Sequence, residues 1–453
     1  MKSNEIREWS VTTLGQCATW YSGGTPDTTN GDYWGGEIPW ITASSLHDFY
    51  LFDSERKVTP LGVENGTRLM PENTIIFVVR GMSLKSEFRV GIARRPMTFG
   101  QDCKAIIAKE GVDPLFLANA IRAKAPEILE LVDEASHGTG RLQTEAIQGV
   151  EILLPPLPEQ RAIASILGAL DDKIELNRQM NRTLEAMAQA LFKSWFVDFD
   201  PVRAKADGRE TGLPEEVAAL FPDRLVESEL GEIPEGWSFS ELPNEIDFLE
   251  GPGLRNWQYK DEGMKFLNIR CIVDGDLDMG KANSIALDEF EKSYSHFALK
   301  ADDIVISTSG TLGRIAIVRP DHLPLMLNTS IIRMRGKTPI GMTFVWNYLQ
   351  SESFLTEMFA LAAGSVQLNF GPVHLRKIVL LRPPSTILTV FEEFTQPFIR
   401  KALLNRMHAR TSLRDTLLPK LISGEVRLGM WKDLYKPEVL RVRLAVLNTA
   451  IHP

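Results

Sequence analysis

The chain has 453 residues, 44% of them hydrophobic and 24% charged, with a formal net charge of −9 at pH 7. That length predicts about two to four domains, and the composition is that of a folded soluble protein rather than a disordered or fibrous one. No apolar run approaches the ~18 residues that span a bilayer, the opening MKSNEIREWS lacks the apolar core of a signal peptide, and Cys17, Cys103 and Cys271 are too scattered for a metal site or disulfide framework, so a cytoplasmic protein with reduced thiols and no membrane contact is expected.

In chain order, residues 1–152 read as a mixed domain. A Gly-Gly-Thr-Pro turn at 23–26 follows a short strand-like run. GEIPWITASSL (36–46) and TIIFVVRGMSL (74–84) read as buried strands, with two more at Arg89–Ala93 and Cys103–Ala108. Pro114–Leu131 has helical spacing and is followed by a loop, SHGTGRLQ (136–143).

Residues 153–200 form the most regular stretch. Pro158 suits a first helical turn, Glu159 offers negative charge to the helix N-terminus, and a seam runs Ile163, Leu167, Leu170, Ile174, Asn177, Asn181, Leu184, Ala188, Leu191, Trp195. Its intervals alternate four and three, the 3.5-residue period of a coiled-coil face. Asp200-Pro201 is expected to end it. At about 1.5 Å per residue the predicted rod is on the order of 50 Å long, a spacer or partner-binding shaft. Asn177 and Asn181 on an apolar seam are candidate register pins if a second helix packs there, or solvent-facing residues if it does not.

Residues 201–236 are rich in Pro, Gly and acid, carry a net −5, and read as a linker with one short helix near Pro214–Leu220. Residues 237–381 form a second mixed domain. At a shift of about 228 residues it repeats the first: Trp237 meets Trp9, Ile304-Val305 meets Ile75-Ile76, Ser309-Gly310 meets Arg80-Gly81, and Pro383-Pro384 meets Pro155-Pro156. Residues 382–428 form a less regular second helix along Phe391, Phe394, Phe398, Ala402, Asn405, Ala409, Leu413 and Leu417. Pro397 predicts a break or kink in it, and Pro419 and Gly424 close it. Residues 429–453 have no counterpart after the first rod, and 390–453 carry a net +5.

Motifs for catalysis are missing. GDLDMGKA (275–282) approaches a phosphate loop, but Ala282 replaces the hydroxyl that would hold Mg²⁺; GKT at 336–338 lacks the upstream glycine. The seven histidines show no metal-ligand spacing, and neither a nucleophile elbow nor the Asn-Pro-Pro-aromatic run of adenine methyltransferases is present. No metal or cofactor is expected on this chain.

What recurs is a strand, a glycine-containing polar turn and a basic residue. IVISTSGTLGRIAIV (304–318) sets Ser309, Thr311 and Arg314 around Gly310 and Gly313, while VVRGMSLKSEFRV (78–90) sets Arg80, Ser83, Lys85 and Arg89 in the equivalent place. Glycine permits close backbone approach, and hydroxyls, amides and guanidinium meet phosphates or base edges. Arg141 and Gln143, Gln367 and Asn369, and Arg255, Asn256 and Tyr259 in GPGLRNWQY join them as candidates. Each turn is equally readable as an ordinary solvated hairpin. The overall acidity predicts weak non-specific DNA binding by this chain alone.

Together these stretches resemble the specificity subunits of type I restriction-modification systems. LPPLPEQRAIASILGALDDKIELNRQMNRTLEAMAQALF and LRDTLLPKLISGEV are similar to that family's helical repeats. SGGTP with GEIPWIT, VVRGMSL with FGQDCK, and GPGLRNWQY with FLNIR, ISTSGTLGR and LNTSII are similar to its target recognition domains, and add Thr25, Gln101, Lys104, Arg270 and Asn328 as candidates for DNA contact. The second helix begins PPSTILTVFEEF, without Glu-Gln-Arg, and Gly100 stands where Asn is common, whereas Asn328 keeps it.

The resemblance implies an α+β molecule of two similar recognition domains joined by two long antiparallel coiled-coil helices, with a pseudo-two-fold internal repeat. It implies double-stranded DNA as ligand, read as an asymmetric bipartite target. The implied partners are two modification subunits carrying S-adenosylmethionine and restriction subunits using ATP and Mg²⁺, with no catalysis in this chain. The alternatives are a self-contained DNA-modifying or cleaving enzyme, and a coiled-coil adaptor whose lobes do not read DNA.

Overall fold

Unbroken apolar runs such as Ile75–Val78, buried at every position, form strands covered on both faces, where period-two alternation is not needed. They belong to a computed structural model that describes residues 9–134, 139–363, 370–410 and 413–427. These form two units, one running to Glu175 and taking back residues 413–427, the other running from Leu176 to Arg410.

The first unit contains β1 (Ser10–Thr13), β2 (Ala18–Ser22), β3 (Tyr50–Leu51), β4 (Ile75–Val78), β5 (Arg80–Gly81), β6 (Val90–Ala93) and β7 (Cys103–Ala108). A five-stranded sheet runs in the order β2-β7-β4-β6-β3. Helix α1 (Pro114–Ala123) starts with Pro114 in its first turn, and the Asp113 carboxylate accepts the Phe116 N–H at 2.9 Å, two standard helix-start devices. β8 (Val132–Glu134) and β9 (Gly140–Leu142) follow, and β10 (Glu151–Leu154) pairs with β1. The stretch read as a loop at 136–143 therefore contains a strand, held by pairing with β8 on one side and β5 on the other.

Helix α2 (Leu157–Phe196) runs 40 residues and ends four residues before the expected Asp200-Pro201 stop. The Pro-Glu-Gln-Arg start has a local cause. Gln160, 1% exposed, donates to the Pro155 carbonyl at 2.8 Å and the Gly111 carbonyl at 3.1 Å and accepts the Asp113 N–H at 2.8 Å. Glu159 accepts the Trp9 indole N–H at 3.1 Å. These bonds clamp the first turn of the helix to the domain that precedes it.

The second unit opens with α3 (Asp200–Ala206), α4 (Glu215–Ala218) and a hairpin of β11 (Leu225–Ser228) and β12 (Gly231–Pro234). The expected linker is thus largely folded. Val202, Val217 and Phe221 are buried in the same core as Trp195 and Trp237, an attachment that the acidic, Pro/Gly-rich composition conceals.

There follow β13 (Ser238–Glu241), β14 (Ile246–Glu250), β15 (Ile304–Ser307), β16 (Ile315–Ile317), β17 (Ile331–Gly336), α5 (Met342–Leu349), β18 (Val379–Arg382) and α6 (Ser385–Arg410). The sheet order β14-β17-β15-β16 reproduces β2-β7-β4-β6. The registers agree residue for residue. Ser10 opposes Leu154 and Ala18 opposes Ala108; Ser238 opposes Arg382 and Ile246 opposes Gly336, every member 228 positions on. The internal repeat is a repeat of fold.

Within the second unit α2 and α6 run antiparallel. Asn405 Nδ2 donates to Asn181 Oδ1 at 2.9 Å, Arg406 bonds Glu185 at 2.5 Å, and Phe192, Trp195 and Phe196 surround Phe391 at ring separations of 6.0, 5.7 and 4.9 Å. Helix α6 continues through Pro397 instead of breaking. Pro397 lies on the exposed face, where water can take the freed Glu393 carbonyl, while Phe391, Thr395, Ile399 and Ala402 hold the buried face. Likewise α7 (Leu413–Ile422) passes through Pro419 and ends beyond it. In the first unit α7 buries Leu418, Leu421 and Ile422 with Ile163 and Leu167, and Arg414 pairs with buried Asp171 at 2.8 Å.

Along the seam Ile163, Leu167, Leu170, Asn181 and Asn405 are buried, and Ile174, Asn177, Leu184, Leu191, Phe398 and Leu417 half-buried. Phe394, 37% exposed, lies at the margin of the seam with its ring 6.1 Å from that of Trp195. The side chains of Ala409 and Leu413 and the whole of 429–453 lie outside the described residues. All three cysteines are buried and unpaired, and burial pushes the Cys103 thiol up to about 12. Among the described residues no helix is long and apolar enough to cross a membrane, and no three metal-ligating side chains come together.

Candidate nucleic-acid interface

In the first unit the short strands β5 and β9 bring together residues 61 positions apart in sequence: Arg80 and Arg141 are direct cross-strand partners, and both are exposed. Directly opposed like charges on a sheet are unfavourable. Among the described residues neither guanidinium has an ion pair to relieve it. Asp133 faces Arg141 from β8 and accepts from Gln143 Nε2 at 3.4 Å. Gly81, at φ +152°, leads the chain from Arg80 into a one-turn 3₁₀ segment carrying Ser83 and exposed Lys85. The Ser83 hydroxyl is buried and without a partner.

The Gln101-Asp102 turn lies alongside, its Asp102 carbonyl accepting the N–H groups of Val79 and Arg80 at 2.9 and 3.2 Å. Gly24 N–H bonds the Phe99 carbonyl at 3.0 Å, which brings exposed Thr25 to the same turn. Lys104 donates to Ser22 Oγ at 2.7 Å. Arg89 is committed elsewhere, bonded to Glu87 at 2.8 Å and to the Ala43 carbonyl at 3.3 Å. Arg80 and Arg141 therefore meet on one three-stranded sheet, Gln101 lies in the turn bonded to it, Lys104 sits on the neighbouring five-stranded sheet, and Arg89 is mainly structural.

In the second unit an amide network surrounds Asn328, the counterpart of Gly100. Leu254 N–H approaches Asn328 Oδ1 at 3.4 Å; Asn328 Nδ2 donates to Asn268 at 3.4 Å, Asn268 to Asn283 at 2.7 Å, and Arg270 to that Asn283 oxygen at 2.5 Å. Asn328 is 6% exposed, so it organises the edge and Arg270 presents it. The difference from Gly100 has a steric reason, since a Cβ there would lie 3.2 Å from the Trp40 ring.

The Ser309–Arg314 turn is tied by Ser307, whose hydroxyl donates to the Thr311 carbonyl at 2.5 Å and accepts the Arg314 N–H at 2.9 Å. The Arg314 guanidinium reaches the Ile272 carbonyl at 3.4 Å and lines a cleft of about 440 Å³ with Glu185 and Arg406 of the helix pair. Arg314 thus faces the helices as well as solvent. Burial raises the Glu185 carboxyl above its usual value against the pull of Arg406. Gln367 and Asn369 lie outside the described residues.

Residues 6–186 match the type I restriction modification DNA specificity domain. The chain is 28% identical over 93% of its length to the type I restriction enzyme MjaIX specificity subunit of Methanocaldococcus jannaschii, of which it covers 94%. It is 28% identical over 68% of its length to the HindI specificity subunit of Haemophilus influenzae, covering 76% of that protein. The chain is thus similar over most of its length to type I restriction-modification specificity subunits. Its fold is also that of the S subunit from M. genitalium, with a TM-score of 0.54 at 16% identity over 93% of this chain and 98% of that one.

Sequence reasoning missed three residues at these edges. Asn268 and Asn283 lie 15 positions apart and join only through their hydrogen bond. Trp257 is 76% exposed between Asn256 and Tyr259. A tryptophan in a Gly-Pro turn is the signal that was available. Tyr259 itself stacks on Phe266 at 5.1 Å and supports the turn from below.

Proposed function

We propose that this specificity subunit is the DNA-reading component of a type I restriction-modification complex, and that it recognises a bipartite, asymmetric duplex target with one recognition domain on each half. The observation that carries this is the Arg80–Arg141 cross-strand pair. Two exposed guanidinium groups held side by side repel each other in the free protein and are compensated by a polyanion. The other unit carries Arg270 on an asparagine network around Asn328, the counterpart of Gly100, whose amides and guanidinium suit base edges as well as phosphates. The two recognition domains differ in sequence, which supports half-targets that differ.

In this reading the antiparallel helices set the spacing between half-targets and serve as platform for two modification subunits, with restriction subunits joining them. S-adenosylmethionine, ATP and Mg²⁺ belong to those partners, and this chain performs no catalysis. A net charge of −9 suits a protein that shares its phosphate contacts with partners.

The test is to map N6-methyladenine across the genome of a host with active modification subunits, with and without this gene. A single gapped, non-palindromic motif is expected to lose methylation on deletion. An unchanged methylation map overturns the reading. Methylation or cleavage of DNA by the purified chain alone, given the cofactors, would favour the self-contained enzyme instead.

A further inference from the structure

We infer that Trp257 is an apolar wedge that inserts at a base step of one half-target, so that this half is read partly through how readily the duplex unstacks there. The inference rests on the DNA-reading role proposed above. Trp257 is 76% exposed, the highest value for any large apolar side chain among the described residues. Its neighbours explain why it stays out. Leu254 and Gln258, either side of it, are buried at 7% and 5%. The Gln258 amide accepts the Arg255 N–H at 2.8 Å and donates to Glu289 at 2.6 Å and to the Tyr294 hydroxyl at 3.2 Å, while Gln258 N–H bonds the Arg255 carbonyl at 2.9 Å. A turn pinned at both ends leaves the indole no inward alternative.

The setting selects the ligand. Arg255 and Asn256 immediately precede Trp257 and are exposed. The same loop is sewn to the amide edge, for Thr329 N–H bonds the Pro252 carbonyl at 2.8 Å and Leu254 N–H reaches Asn328 Oδ1. An exposed indole preceded by a guanidinium and an amide, on a loop joined to a polar edge, matches the composition of a duplex wedge, with groups for phosphate and base-edge contact beside a ring that enters the stack. The residue 228 positions earlier is Thr29, so the wedge is confined to one half of the molecule.

The test uses the full chain assembled with its modification subunits and the duplex defined by methylation mapping, with 2-aminopurine placed in turn at each position of both half-targets. The expected result is a fluorescence rise at one step of one half-target. Trp257→Ala should abolish that rise and weaken specific binding roughly tenfold to hundredfold, with the salt dependence unchanged because no phosphate contact is removed. Trp257→Phe should restore most of both. Equal fluorescence and affinity for wild type and Trp257→Ala overturn the inference alone. Loss of subunit assembly in Trp257→Ala also overturns it, by making the indole a protein contact. Failure of the wild-type complex to prefer the mapped duplex overturns the DNA-reading role and the wedge together.

Discussion

The β5–β9 edge of the first unit and the Arg319 cluster of the second use the same side chain in opposite circumstances. Arg319 is 5% exposed, and its guanidinium bonds Asp276 at 2.5 Å and Asp321 at 2.8 and 2.9 Å. Burial works against its charge, but hydrogen bonds to Asp321 and Asp276 outweigh that and favour the charged form. Arg80 and Arg141 are exposed, adjacent and without ion pairs among the described residues. The first arrangement satisfies every charge internally and serves the fold. The second leaves charge unsatisfied until something outside supplies it. The number of arginines says little about DNA binding; what surrounds each one decides.

The comparison breaks most sharply at the buried end. Arg319→Ala takes from Asp276, 3% exposed, its guanidinium partner, leaving His322 at 3.4 Å and the Leu277 N–H at 2.8 Å, and should lower unfolding stability by about 3 kcal/mol, read from the urea midpoint. A loss under about 1 kcal/mol would show that the cluster is solvated. The helix pair should behave similarly on a smaller scale. Asn405→Ala leaves the Asn181 carbonyl buried and unpaired and should cost about 1–3 kcal/mol, whereas replacing both by Leu should recover most of it. If the double variant is no better than the single one, the pair holds the helices by shape rather than by its hydrogen bond.

At the exposed end the readout changes from stability to binding. Arg80→Ala with Arg141→Ala should move stability by no more than about 0.5 kcal/mol. The same change should reduce the slope of log K against log salt by about 2 for the assembled complex, as expected for two lost phosphate contacts. An unchanged slope would remove the arginine pair from the interface. The smallest effect concerns pH. Arg319 holds the Asp321 carboxyl below its usual value of 3.8, so the pair contributes stability above that pH and loses it as the pH falls toward the folded-state value. The stability gap between wild type and Asp321→Asn should therefore narrow when urea midpoints are compared at pH 6 and at pH 3, and a constant gap would mean that solvent already screens the half-exposed Asp321.

Much of the architecture was legible because it repeats. A long coiled-coil period, two mixed blocks and a shift of about 228 residues give helix, domain pair and pseudo-symmetry, and the strand registers follow that shift residue for residue. The linker was misjudged because Val202, Val217 and Phe221 are too sparse to show a periodicity, yet each finds a place in one core. No break occurs at Pro397 or Pro419, since a proline's local cost says nothing of the packing that holds the two sides of a helix together.

The sequence by itself determined the family, the twofold repeat and the seam, because periodicity and motif are local properties of the chain. Which of the candidate polar residues form an interface was decided by the tertiary structure alone. Arg80 meets Arg141 only when two short strands pair, Asn268 meets Asn283 and Asn328 only when loops close, and Arg89 is drawn into an ion pair two residues away. Exposure and partnership arise from contacts between distant segments. No window of sequence contains them.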